Sequence, residues 1–167
     1  MIVHDDVTIR AALPADAEDI SALIAAALRH TNAPDYPRTV IDRMAVSYGS
    51  SRVAVMIRQR GMFVAEQRGL VVGTIGYAAG TVRSLFVAPD CQGVGIGHRL
   101  IHEVESLARK AGLQSLTVAA SVTATGFYKH CGFEELRSVD PSGIAMVLMH
   151  KWLSPPITDS HLRYELP

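Results

Sequence analysis

SLFVAPDCQGVGIGHRLIHEVESLARKAG, residues 84–112, joins an apolar run, a proline, three glycines at alternate positions and a helical pattern. Its apolar opening reads as a strand that Pro89 helps to end. Ile96, Leu100, Ile101, Val104, Leu107 and Ala111 then recur at helical spacing, with His102, Glu103, Arg109 and Lys110 mostly on the opposite side. Strand, glycine loop and helix in that order bring the unpaired first amides of the helix to one end of a sheet. Aligned peptide dipoles favour an anion there. Glycine contributes by tolerating unusual dihedrals and by leaving no Cβ in the way of an anion's oxygens. On glycine spacing alone, an ordinary strand-to-helix turn reads the same, and both readings stand at this point.

The spacing does separate the phosphate-binding classes. A P-loop requires Lys-Ser or Lys-Thr after its glycines, and none follows here. A dinucleotide fingerprint requires GxGxxG, whereas Gly93, Gly95 and Gly97 give GxGxG without a supporting acid about 20 residues on. A nucleotide-binding domain is therefore disfavoured.

Working outward, residues 7–12 read as a strand and LPADAEDISALIAAALRH as a helix. Pro14 and the acids Asp16, Glu18 and Asp19 sit at its start, and Ile20, Leu23, Ile24, Ala27 and Leu28 form its apolar stripe. NAPDYP reads as a loop, followed by one or two helical pieces broken near Gly49-Ser50-Ser51. MFVAEQRGLVVGTIGY reads as two strands around Gln67-Arg68-Gly69, with VRSLFVAP as a third. After the helix at 96–111 come a strand SLTVAA, a short helix near ATGFYKHCG, and strands FEELRSV and IAMVLMHK around the turn Asp140-Pro141-Ser142-Gly143. Helices early and strands later predict a single α/β domain over 1–167, with its core at about 7–150 and a tail at 154–167 that packs or frays.

A chain of 167 residues, 49% hydrophobic and 19% charged, suits one complete core. Sixteen basic and sixteen acidic residues leave no net charge, so no global field points to nucleic acid or to an anionic membrane. No apolar run approaches the length of a membrane span. The first residues carry acids and lack a basic leader, so the expected location is cytoplasmic. Cys91 and Cys131 lie far apart without a C-x-x-C pattern and are expected as free thiols. The seven histidines form no HExxH or close ligand grouping, so no metal is expected.

Two motifs in order carry a resemblance. Gln92, Gly95 and Gly97, after the strand LFVAP and before an amphipathic helix, resemble the Q/R-x-x-G-x-G/A acyl-CoA signature of the GCN5-related N-acetyltransferase (GNAT) superfamily. Ser121, Ala124, Phe127, Tyr128, Gly132 and Phe133 resemble its later S-x-x-A-x-x-F-Y-x-x-x-G-F stretch, where Asn is common at the place of Ser121. The resemblance covers roughly residues 7–150. It implies a mixed, mostly antiparallel sheet of about six or seven strands, flanked by helices and carrying a splayed parallel strand pair.

The resemblance also implies chemistry: acetyl-CoA as cosubstrate, and direct transfer of its acetyl group to a primary amine of a small molecule or peptide in a ternary complex. The pyrophosphate is expected on backbone amides of Gln92, Gly93, Val94, Gly95, Ile96 and Gly97. Pantetheine is expected along Leu85, Phe86 and Val87, with the Val87 amide donating to the thioester carbonyl. Ser121 joins the cofactor set by its motif position. Tyr128 matches the tyrosine that protonates the leaving thiolate, a phenol with an ordinary pKa of about 10. The amine's base has no obvious residue, because VRSLFV lacks an acid. Glu66 is one candidate, Tyr77, His98 and His130 are others, and ordered water with backbone carbonyls is a further route. Asp35, Tyr36 and Tyr77 are acceptor-pocket candidates, each also explained by turn or packing roles. A homodimer through the terminal strands stays open. So do transfer of a longer acyl group, transfer to a hydroxyl, and a CoA-binding sensor or interaction module without turnover.

Overall fold

A computed structural model describes residues 6–154. Residues 1–5, and the expected tail beyond Ser154, lie outside the described residues. Strand β1 (Val7–Ala11) leads into helix α1 (Ala17–Ala27), and α2 (Arg38–Ser47) and α3 (Ser50–Gln59) follow. Strands β2 (Gly61–Gln67), β3 (Leu70–Ala78) and β4 (Thr81–Val87) form a meander. The chain then runs through α4 (Ile96–Lys110), β5 (Ser115–Ser121), α5 (Thr125–His130), β6 (Glu134–Val139) and β7 (Met146–Trp152). The seven strands make one sheet in the order β1-β2-β3-β4-β5-β7-β6. All neighbours are antiparallel except β4 and β5. This is the mixed, mostly antiparallel architecture expected from the sequence.

The meander's turns follow from local chemistry. Arg68 and Gly69 connect β2 to β3, Ala79 and Gly80 connect β3 to β4, and all four residues have positive φ. Two-residue turns of that hand match the twist of antiparallel strands. Helix α1 begins where Pro14 fixes the chain and the Asp16 carboxylate accepts a hydrogen bond of 2.7 Å from the Leu13 amide. It buries Ile20, Leu23, Ile24 and Ala27 as the apolar spacing requires.

Beyond Ala27 the structure departs from the sequence reading. Instead of ending near His30, the chain winds on as a wider π turn from Leu28 to Asn32, and Ala33–Asp35 adds a tight turn inside the expected loop. The cause is long-range. Asn32 Nδ2 donates to Ser121 Oγ at 3.2 Å, while the Tyr36 hydroxyl donates to the Ala145 carbonyl at 2.7 Å and accepts from the Val122 amide at 2.9 Å.

Two apolar cores lie on opposite faces of the sheet. Helices α1, α2 and α3 cover one, with Ile20, Ile24, Leu28, Val53 and Val64 fully buried. Helices α4 and α5 cover the other, packing Leu100, Val104, Tyr128 and Phe133 on Ile75, Leu116 and Met149. Strand β7, the apolar terminal strand, lies inside the sheet between β5 and β6, so the outer edge is β6.

One junction is incomplete. Strands β4 and β5 pair only at Thr81↔Thr117 and Val82↔Val118, while β5 stays paired to β7 along its whole length. On β4 the register shifts where Ser84 takes a positive φ of 55°. An extra residue there forms a bulge that bends the strand away from its neighbour.

Candidate active site

The opening between β4 and β5 is a cavity of about 650 Å³. Leu85, Phe86 and Val87 form one wall, and the far half of β5 through Ser121 forms the other. The loop supplies Gln92, Gly93, Gly95, Ile96 and Gly97, and α5 contributes Phe127 and Tyr128. Val94 is not on the wall; it packs against the α4 core.

Backbone directions on β4 follow from one bond. The Ala88 amide donates to the Val72 carbonyl at 2.9 Å, so Ala88 and, by alternation, Phe86 direct their polar groups toward β3. Val87 between them faces the opening. Its carbonyl accepts from Gln92 Nε2 at 3.0 Å, and the same nitrogen donates to Thr31 Oγ1 at 2.9 Å. The glycine loop is thereby tied to the strand end.

The three alternate glycines serve two purposes. Gly93 and Gly95 adopt φ of 77° and 89°, and a Cβ on either would meet nothing within 4 Å. They set the loop's path and leave open space above its amides. Gly97 has no such dihedral; a Cβ there would stand 2.9 Å from Phe127 Cε2, so its role is close packing of α4 against α5. The Arg99 amide bonds back to the Gly95 carbonyl at 3.1 Å, which leaves the Ile96, Gly97 and His98 amides ahead of the first helical bond. The first turn of α4 holds no acidic residue. These features fit a diphosphate.

Tyr128 lines the cavity yet is only 4% exposed. It packs edge-on between Phe127 and Phe133, each with a ring centroid 5.3 Å away. Burial raises its phenol above the ordinary value, with Cys131 and Tyr48 adding to the rise, so the hydroxyl keeps its proton.

The base candidates are placed less favourably. Glu66 is absent from the cavity wall, and its carboxylate pairs with the Arg10 guanidinium at 2.7 Å. His98 lines the cavity with its ring against Phe127 at 5.1 Å, whereas His130 Nδ1 sits 2.9 Å from the Gly126 carbonyl, away from the wall. Asp35, Tyr36 and Tyr77 are not wall residues: Asp35 accepts from Thr123 Oγ1 at 2.7 Å, and Tyr36 has the backbone partners already given. Cys91 and Cys131 are unpaired, and burial raises both thiols, that of Cys131 to about 11.

Sequence reasoning named none of the side chains on the α2 side of the wall. Met44 from α2, Tyr48 just past its end, Arg83 and Ser84 from β4 and Met146 from β7 also line the wall. Arg60 Nη2 donates to Ser84 Oγ at 3.1 Å, and Ser84 Oγ donates to the Tyr48 hydroxyl oxygen at 3.3 Å. No periodicity announces these contacts; the one local signal is Gly76, where a Cβ would meet the Arg83 carbonyl at 3.0 Å and Arg60 Nε at 3.4 Å. Among the described residues no group of three or more His, Cys, Asp and Glu is placed to hold a metal ion, and no helix is long and apolar enough to cross a membrane.

A mixed sheet opened at its parallel junction, with a glycine loop entering a helix beside the opening, is the architecture of the N-acetyltransferase fold. The chain belongs to the GNAT acetyltransferase family, whose domain model matches residues 32–153. Among solved structures, a GCN5-related N-acetyltransferase from Rhodopseudomonas palustris is similar over 91% of this chain and 99% of its own, with 26% identity and a TM-score of 0.83. The PaiA N-acetyltransferase of Thermoplasma acidophilum, in complex with coenzyme A, shares the fold with a TM-score of 0.75, 19% identity and coverage of 87% and 98%. A curated relative, an IAA acetyltransferase of Azospirillum brasilense, is 35% identical over 48% of this chain and 58% of its own length. An uncharacterised N-acetyltransferase of Pyropia yezoensis is 33% identical over 38% and 34%. The matched stretch thus spans less than two thirds of either curated relative.

Proposed function

We propose that the protein transfers the acetyl group of acetyl-CoA directly to a primary amine of a small molecule or peptide, within a ternary complex. The observation that carries this reading is the opening itself: Val87 presents its backbone to a cavity with the glycine loop at one end and the buried Tyr128 on its wall. Acetyl-CoA supplies the thioester. The amides from Gly93 to Gly97 hold its diphosphate, with Val94 contributing backbone only; the Gln92 amide, expected among them, donates instead to the Pro89 carbonyl at 3.4 Å. The strand Leu85–Val87 orients its arm, Ser121 borders it, and the Val87 amide donates to the oxygen where negative charge develops.

The amine nitrogen bonds to the acetyl carbon, the carbon–sulfur bond breaks, and the electron pair leaves on sulfur. Tyr128 gives its hydroxyl proton to that sulfur and takes one back from solvent; the proton lost by nitrogen goes to water, since no Asp or Glu lines the cavity and the ring of His98, the base candidate on the wall, packs edge-on against Phe127. The same lack of a carboxylate favours one rival, a CoA-binding module without turnover.

Amine-dependent release of CoA thiol, with an acetylated product seen by mass spectrometry, tests the reading. Tight acetyl-CoA binding without release across a broad amine panel supports the module instead. Tyr128→Phe is expected to lower kcat about tenfold or more while CoA affinity by calorimetry stays within twofold. Because the Tyr128 phenol is raised, its loss of a proton lies above the ordinary value of about 10, so any fall in kcat below that pH has another origin. An unchanged kcat in Tyr128→Phe removes the acid role.

A further inference from the structure

The acceptor side of the cavity is cationic and has no acid to neutralise it. Arg83 lines the wall, and its register partner on β3 is Gly76, so both residues face the same side of the sheet as α2 and α3. A Cβ on Gly76 would stand 3.0 Å from the Arg83 carbonyl oxygen and 3.4 Å from Arg60 Nε, so the glycine admits the close β4 backbone and leaves Arg60 beside it. That Nε is buried without a hydrogen-bond partner among the described residues. Neither arginine makes an ion pair among the described residues. Burial lowers the Arg60 pKa, Tyr48 opposes that shift and Arg83 adds to it, which places the two cations within each other's field.

Water solvates the exposed Arg83, but the Arg60 Nε beside it is buried without a partner, and two guanidinium groups with no carboxylate between them favour an arriving anion. The hydroxyl chain points the same way. Tyr48 oxygen accepts from Ser84, which itself accepts from Arg60, so the Tyr48 proton is free to be donated into the cavity. Met44, Phe86 and Met146 give the surrounding wall an apolar character.

Resting on the acetyltransferase reading, we propose that the acceptor is an amine carrying its own carboxylate, an amino acid with an apolar side chain, held by Arg83 and the Tyr48 hydroxyl over Arg60. A guanidinium fork matches a planar carboxylate in two hydrogen bonds. Polycationic amines are disfavoured by the same charge.

The test compares leucine, methionine and phenylalanine with their primary amides, using the full chain and acetyl-CoA. Each acid is expected to exceed its amide in kcat/KM by about tenfold to a hundredfold, the loss that follows removal of a charged hydrogen-bond partner. The amide's amine is the less basic and so the more available, which biases the comparison against the expected result. Arg83→Gln is expected to bring the acid-to-amide ratio to about one, and Arg83→Lys to retain part of it. Calorimetry with CoA present, comparing N-acetyl-leucine with N-acetyl-leucinamide, reads the same preference without turnover.

Equal or better use of the amides, or an unchanged ratio in Arg83→Gln, overturns the carboxylate site while leaving acetyl transfer standing. Preferential binding of N-acetyl-leucine with no turnover of any amine keeps the site and overturns the transfer. Binding and turnover of neither acid nor amide overturns the inference.

Discussion

The Gln92 carboxamide nitrogen lies 3.0 Å from the Val87 carbonyl oxygen, closing a ring that runs from the end of β4 through the proline turn and back. A carbonyl has two lone pairs, so this bond leaves Val87 able to accept a second partner from the cavity. Gln92→Ala removes both this bond and the one to Thr31. Two exposed hydrogen bonds order the loop by about 1 kcal/mol in total, so CoA is expected to bind about fivefold more weakly by calorimetry. Unaltered affinity would show that the loop holds its shape without the tie.

Gly97 and Phe127 form a second coupled pair. Gly97→Ala gains helix propensity of up to about 1 kcal/mol, yet its Cβ would meet the Phe127 ring at 2.9 Å, and overpacking costs about 1–3 kcal/mol. The expected outcome is a net loss near 1 kcal/mol in urea denaturation. Phe127→Leu in the same chain relieves the contact, so the double variant should lose less stability than the two single changes combined. Strict additivity would refute the contact.

Asp16 links stability to pH. Its carboxylate accepts from Arg10 at 2.8 and 2.9 Å, and this hydrogen bonding lowers its pKa against the opposing effect of burial. A lowered native pKa contributes stability that is complete above the unfolded value of about 3.9. That contribution is lost as pH falls through the native value. Asp16→Asn is therefore expected to cost about 1–2 kcal/mol at neutral pH. The cost should shrink progressively below the unfolded value. Denaturation midpoints that differ by the same amount at pH 7 and at about pH 2.5 would assign the effect to packing instead.

What the sequence made legible was local. The apolar period of α4, the Arg68-Gly69 turn and the order of two motifs require only neighbours in the chain. Gln92, Gly95, Gly97 and Tyr128 could be singled out on that basis, and all of them line the cavity. The Arg60–Ser84–Tyr48 hydrogen-bond chain could not, because its residues come from the end of α3, a β4 bulge and an α2 terminus. Ser84 is no glycine, and nothing in VRSLFV marks it for a positive φ. Glu66 shows the converse difficulty. A carboxylate at a strand end looks available until Arg10, 56 residues earlier, is found paired with it.

The two-rung junction between β4 and β5 has a consequence for the protein without its cosubstrate. Beyond Val82 and Val118 the sheet has an inner edge, along which the Val87 amide faces no partner strand among the described residues. A ligand laid along that edge acts as a missing strand. Amide exchange at Leu85 and Val87 should slow sharply when CoA is added, while exchange in β2 and β3 changes little. The melting temperature should rise with the logarithm of CoA concentration above Kd, since binding only the folded state adds RT ln(1 + [L]/Kd) to its stability.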